Sequence, residues 1–320
     1  MSFAKAPRFR EGHADTPGPG QYKPKFTSRS GGPSYSFGKP RGTPRQPGLP
    51  KLRQAQLKLV AELGRGGLAT VHRARCYGKE FAVKLCRFQP GLTNPEQDRE
   101  GLHKEALLLA GLRHTNIVRA LCLVTDQHGV MGFGQELLGQ SLEAAASIGQ
   151  LTPQRLASAV APTCMALAHM HQLLIAHLDV KPANICFTAQ LTTVKLIDFD
   201  AAMPLHHPDE VTERFPGNLA ALSPEILGKL PYSPLAEDCF QAGWTYTKLI
   251  EVTQVMFDEV LLARLSPLLE PADTRPTMQK MLDDHLQRSE ALVRQLQPEG
   301  RPVLLGSRPQ PDNPLLKLFG

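Results

Sequence analysis

The chain has 320 residues, enough for a two-lobed domain with flanking tails, and its 42% hydrophobic content supplies a substantial core. No apolar run approaches the roughly 18 residues of a membrane span, the opening MSFAKAPRFR lacks the apolar stretch of a secretory signal, and six scattered cysteines without a C-x-x-C pair argue against a zinc or disulfide framework and for a reducing, cytoplasmic setting. The net charge of +6 is unevenly placed: residues 1–58 hold twelve Lys and Arg against Glu11 and Asp15, leaving 24 basic and 28 acidic residues beyond them.

Residues 1–50 contain nine Pro and eight Gly with almost no aliphatic side chains, so the segment reads as a disordered basic arm. Its charge suits an acidic partner such as a tubulin tail or anionic lipid, with nucleic acid the less favoured choice; a simply solvated tail is the plain alternative. Thr16-Pro17-Gly18-Pro19-Gly20-Gln21-Tyr22 and Tyr35-Ser36-Phe37-Gly38 favour turns and polyproline II, presenting aromatic anchors at intervals. These elements resemble the sperm-tail PG-rich repeat over about forty residues. The resemblance implies microtubule or axonemal association through the arm and a place at the cytoskeleton, cilium or flagellum.

From about residue 51 the pattern changes. LKLVAELG, LATVHRARC and KEFAVKLC alternate as strands, and REGLHKEALLLAGL carries apolar residues at helical spacing. Helices are also expected over PQRLASAVAPTCMALAHMHQL, EDCFQAGWTYTKLIEV and TRPTMQKMLDDHLQ. Strands followed by helices predict an α+β domain over 51–288, with a small β-rich lobe and a larger helical one. Residues 289–320 turn Pro-rich and read as a tail that ends in LLKLF. His206 and His207 have no Cys or His partner at ligand spacing and read as solvated loop residues.

The chemistry lies in short motifs. Gly64-Arg65-Gly66-Gly67-Leu68-Ala69-Thr70-Val71 is a glycine-rich turn between strands, able to bring backbone N–H groups close to phosphates. Ala82-Val83-Lys84 places an ammonium on the next strand, and Glu105 on the following helix is the carboxylate to hold it. A lone Lys–Glu pair is usually surface decoration, but more motifs follow. In His177-Leu178-Asp179-Val180-Lys181-Pro182-Ala183-Asn184, Asp179 can accept a hydroxyl proton, Lys181 can offset phosphoryl charge and Asn184 can hold a metal ion. Asp198, in Ile197-Asp198-Phe199, is placed to bind Mg²⁺ that bridges phosphates.

Together these motifs resemble the protein kinase superfamily over about 230 residues. The resemblance implies ATP and Mg²⁺ as cofactors, a protein substrate, and transfer to Ser or Thr. It assigns Lys84 to the α- and β-phosphates, Glu105 to Lys84, Asp179 to the catalytic base, and Asn184 and Asp198 to Mg²⁺. Gly64, Arg65, Gly66, Gly67, Ala69, Val71 and Ala82 then line the nucleotide, and Gln135, Glu136 and Leu137 form the hinge, with Gln135 as gatekeeper. His114-Thr115-Asn116-Ile117-Val118 matches the family's HxNIV, Glu225 of Ser223-Pro224-Glu225 is expected to pair with Arg275, and Asp238 to anchor the catalytic loop.

Five positions depart from the pattern. Ala69 replaces the third loop glycine. Leu178 replaces an Arg that grips a phosphorylated activation loop, as in the Mos and Wee/Myt branches, so constitutive competence is expected over a phosphorylation switch. Asp200 replaces the Gly of DFG, where backbone strain and a second carboxylate beside the metal are the concern. Asn218 stands for a Thr, and Ala221 for the nearby Tyr. The accumulation of changes keeps open a pseudokinase scaffold recruited by the arm.

Overall fold

A computed structural model describes residues 48–88, 94–217, 220–253, 263, 265–284 and 287. The PG-rich elements of the arm, Asn218 and the Pro-rich tail lie outside the described residues.

The smaller lobe is a six-stranded sheet of β1 (Lys51–Arg53), β2 (Lys58–Arg65), β3 (Ala69–Cys76), β4 (Lys79–Cys86), β5 (Ala120–Asp126) and β6 (Gly129–Gln135). Their order is β1-β5-β6-β4-β3-β2. All neighbours run antiparallel except β1, which lies parallel to β5. Strands β2 to β4 fall within one residue of the expected runs. Alternation sorts their side chains: Phe81, Val83 and Leu85 turn to a cluster with Ala74, Cys122 and Val124, so Ala82 and Lys84 face the other way. Composition places Leu49 and Pro50 in the arm, whereas Leu49 packs on the main core and the Pro50 carbonyl accepts the Leu123 N–H at 2.8 Å.

Helix α1 (Pro95–Gly111) packs on the lobe through Leu102, Ala106 and Leu109. It begins a turn before the expected run because Asn94 caps it, accepting the Glu96 N–H at 3.1 Å, with Pro95 at the first helical position. Gly132 lets β6 press on β4: a Cβ there would sit 2.1 Å from the Lys84 carbonyl oxygen. That contact fixes the backbone carrying Lys84.

The larger lobe holds α2 (Leu142–Ser147), α3 (Pro153–Gln172), β7 (Ile175–Ala176), β8 (Ile185–Phe187), β9 (Val194–Leu196), β10 (Met203–Pro204), α4 (Pro224–Leu227) and α5 (Pro234–Thr253). Residues 278–284 are also helical. Helices α3 and α5 share a core with Leu156, Leu167, Met170, Ala242, Tyr246 and Leu249, where each large side chain contributes ~1.5–3 kcal/mol. The buried Tyr246 hydroxyl is satisfied by the Ala159 carbonyl at 2.8 Å and Thr163 Oγ1 at 2.7 Å. The architecture is the expected α+β pair of lobes. No helix among the described residues is long and apolar enough to cross a membrane.

Candidate active site

Register assembles the upper wall. Gly64 faces Val71, Val71 faces Lys84, and Ala82 faces Gln135, so these five residues occupy one face of the sheet. The loop between β2 and β3 is closed by the Gly66 N–H to the Ala69 carbonyl at 2.9 Å. A Cβ at Gly64 or Gly67 would meet nothing, so the fold itself does not demand glycine there; a ligand lying close to the backbone would. Ala69 is buried opposite Cys86, where a methyl group finds contacts that glycine lacks. Arg65 turns its guanidinium to Glu62 at 2.6 Å, away from a role as side-chain ligand.

Lys84 is the centre of the charge arrangement. Its Nζ lies 2.9 Å from both Glu105 oxygens and 2.6 Å from Asp198 Oδ1. Burial opposes its charge, but the two carboxylates prevail and hold its pKa above the ordinary lysine value. Burial likewise opposes the Asp198 carboxylate, yet Lys84 keeps it below the usual carboxylate range. Burial pushes Glu105 upward against the pull of Lys84.

The hinge follows β6. Gln135 is buried at its end, and the Glu136 N–H donates to the Arg119 carbonyl at 3.1 Å. The Glu136 side chain accepts from Lys195 Nζ at 2.7 Å and the Arg119 N–H at 2.8 Å, so its carboxylate is already engaged.

Below lies the loop between β7 and β8. Asp179 Oδ2 accepts from Lys181 Nζ and from Asn184 Nδ2, both at 2.8 Å, while Oδ1 is buried and has no partner. Because Asn184 spends its Nδ2 on Asp179, its Oδ1 is turned elsewhere. The Ile197 N–H to Asn184 carbonyl bond, 2.9 Å, sets Asp198 beside Asn184. These two oxygen donors suit Mg²⁺, which takes one or two protein oxygens and completes its shell with phosphate and water. His177 is fully buried; burial lowers its pKa, and its neutral ring accepts the Asp179 N–H at Nδ1 and donates from Nε2 to the Ile197 carbonyl.

Asp238 accepts the N–H groups of His177 and Leu178 at 2.7 Å each, with His171 Nε2 at 2.9 Å. Arg275 meets Glu225 through Nη1 at 2.9 Å and stacks over Phe240. Both expected structural pairs are therefore formed.

The departures look different once placed. Leu178 is 1% exposed and packs with Ala176, Ile226 and Tyr232, so the activation segment rests on an apolar contact at this point. The strained backbone near the candidate metal-binding residues belongs to Asp198, at φ 63°, and to Leu178, at φ 61°; Asp200 is not among the left-handed residues. Asp200 is exposed and makes no hydrogen bond or ion pair among the described residues. The expected strain at Asp200 is thus corrected: the left-handed residue is Asp198, two positions earlier. Ala221 is buried.

Sequence reasoning missed Gly217. Its N–H donates to the Leu178 carbonyl at 2.9 Å, and a Cβ there would lie 3.0 Å from Asp179 Cβ and 2.9 Å from Ala201 Cβ. Its position after Phe215-Pro216 in the activation segment was the available signal. Gln241 and Thr245 of α5, which bond the Val180 backbone, were missed as well.

A protein kinase domain model matches residues 57–284. The chain belongs to the protein kinase family. Serine/threonine-protein kinase 36 of Pongo abelii is 27% identical over 225 residues, covering 69% of this chain and 17% of that protein. Serine/threonine-protein kinase ppk25 of Schizosaccharomyces pombe is 30% identical over 189 residues, 59% of this chain and 44% of that kinase. Titin homolog of Caenorhabditis elegans is 28% identical over 233 residues, 70% of this chain and 1% of that protein. The chain thus spans less than half the length of each of these relatives, and the likeness is one of kinase domains.

Proposed function

We propose that the chain transfers the γ-phosphoryl group of Mg-ATP to Ser and Thr hydroxyls of proteins. The observation that carries this reading is the Asp179 carboxylate, with Oδ2 held by Lys181 and Asn184 and Oδ1 buried without a partner. A buried oxygen left unsatisfied is costly, and a substrate hydroxyl is the donor it lacks. Bound Mg-ATP would supply the transferable group and the divalent charge that offsets its phosphates. Lys84 would hold the α- and β-phosphates, Glu105 would hold Lys84, and Asn184 with Asp198 would hold the metal. The N–H groups of Gly64 to Ala69 would cover the phosphates, with Val71, Ala82, Gln135, Glu136 and Leu137 around the base. Lys181 would offset charge on the transferring group, so catalysis rests on placement and charge.

Ser/Thr specificity is supported by Lys181 in the catalytic loop and by the names of two relatives. The HLDVKPAN loop supports a likeness to the Mos and Wee/Myt branches and activity without loop phosphorylation. Incubation with γ-labelled Mg-ATP and a peptide library tests the reading. Label on Ser and Thr is expected; label confined to Tyr would reassign the specificity, and none would remove the activity.

The basic arm read over residues 1–50, of which Leu49 and Pro50 pack with the domain, is proposed to attach the kinase to microtubules or an axoneme in the cytoplasm, with a domain to about residue 288 and a tail behind it. The whole chain is expected to co-sediment with microtubules in a salt-sensitive way, and a chain beginning at Pro47 is not. Equal co-sedimentation of both would remove the arm's role.

A further inference from the structure

Helix α5 is buried almost all round, yet Glu237, Asp238, Gln241 and Thr245 are all fully buried along it. Residues 237, 241 and 245 repeat at four-residue spacing and form one stripe. Polar groups at zero exposure persist only where partners satisfy them. For Asp238, Gln241 and Thr245 the partners are the backbone atoms on either side of Asp179, while Glu237 is held by Gln241 through Oε1 and keeps Oε2 without a partner. Asp238 takes the N–H groups before it. Gln241 Oε1 accepts the Val180 N–H at 2.8 Å, and Thr245 Oγ1 donates to the Val180 carbonyl at 3.1 Å. Gln241 Nε2 donates to Glu237 Oε1 at 3.1 Å and reaches the Leu178 carbonyl at 3.4 Å, the same carbonyl that accepts the Gly217 N–H.

A carboxamide has nearly the same shape at both ends, so its partners decide which end faces the loop. The Val180 N–H can only donate, so it takes Oε1 and leaves the NH₂ end for Glu237 Oε1, which accepts whether or not the other carboxyl oxygen carries a proton. Reversal would set donor against donor at Val180 and oxygen against oxygen at Glu237. We infer that Gln241, held by Val180 and Glu237, is a positioning residue for the catalytic base and a second anchor of its loop beside Asp238. The inference rests on the proposed role of Asp179.

Gln241→Met tests it, because it keeps length and volume while removing donor and acceptor. The kcat is expected to fall about tenfold or more, with KM for ATP within about twofold, since the change touches the base and not the nucleotide. Amide exchange over residues 177–181 is expected to quicken while melting stays cooperative. The swap Glu237→Gln with Gln241→Glu keeps an acceptor toward Val180 and a donor between the two side chains; it is expected to restore kcat to within about threefold of the parent. Unchanged kcat and exchange in Gln241→Met would overturn the inference, as would a folded swap variant that fails to recover. If Gln241→Met does not fold, recovery in the swap variant decides the matter by itself. Loop exchange is readable even if the parent has no turnover, so a failed kinase reading and a failed anchor remain distinguishable.

Discussion

Glu105 Oε1 accepts hydrogen bonds from two places at once, Lys84 Nζ at 2.9 Å and the Phe199 backbone N–H at 3.1 Å. One carboxylate on α1 therefore sets both the Lys84 ammonium and the segment that carries Asp198. Phe199 is buried and meets the His177 ring edge-on at 4.9 Å, and His177 in turn accepts the Asp179 N–H. The two lobes are joined through contacts that end on the candidate base.

Glu105→Gln keeps an acceptor for Phe199 but removes the charge that holds Lys84. Asp198 alone then pulls the ammonium, and its hold on a metal suffers. The kcat/KM for ATP is expected to fall on the order of 100-fold, equivalent to about 2.7 kcal/mol, in steady-state kinetics. Parent-like kinetics would place Lys84 outside the phosphate site.

Leu178→Arg would bury a guanidinium where Ala176, Ile226 and Tyr232 now pack. Calorimetric or denaturant unfolding is expected to show a loss of about 3 kcal/mol or more. Between Asp198 and Glu225 the only hydroxyl side chains are Thr212 and Ser223. Ser223 is fully buried, and Thr212 Oγ1 accepts the Arg214 N–H at 3.0 Å. Thr212→Ala is accordingly expected to keep kcat within about threefold; a collapse of activity would restore the phosphorylation switch.

The site was legible because phosphoryl transfer needs particular residue types at short spacings: Lys84, Asp179, Asn184 and Asp198 stand inside such motifs, and the fold brings them together. Strands β5 and β6 were not legible, since GVMGFGQ reads as a glycine-broken run until the close approach at Gly132 explains it. The α5 stripe was hidden for another reason. Its partners lie some sixty residues away in sequence, at Leu178 and Val180, and only folding makes a buried Gln241 intelligible. Motif comparison also misplaced the backbone strain, which sits at Asp198 and not at Asp200.

That correction bears on Asp200→Gly. An exposed side chain on an unstrained backbone gives glycine little to relieve, so kcat is expected to change by no more than about threefold at saturating Mg-ATP. A rise of a hundredfold would show that the native carboxylate obstructs the metal.

Burial pushes Glu237 up to about 7, with Ser223 and Gln241 favouring its carboxylate and Asp238 and Glu225 opposing it. Ser223 lies close, though the two make no well-formed hydrogen bond. Tyr232 faces the same region, and Arg275 reaches it only through Glu225. The folded pKa is raised, so the native state favours the protonated form. This contribution is whole below the unfolded value near 4.5 and is lost as pH rises through 7. Glu237→Gln does not ionise, so its stability relative to the parent is expected to grow between pH 5 and 8.5 by on the order of 3 kcal/mol. A difference flat with pH in denaturant melts would mean that Glu237 does not titrate there.

The role of Asp179 is measured most directly by pairing turnover with nucleotide affinity in Asp179→Asn. The carboxylate acts on the hydroxyl and not on ATP, and its Oδ1 is the unpartnered atom. Label transfer from γ-labelled Mg-ATP is expected to fall by about 10³-fold while the Kd for Mg-ATP stays within about threefold. Parent-like transfer by the variant, or a loss of ATP binding as large as the loss of turnover, would contradict the assignment of Asp179 as the catalytic base.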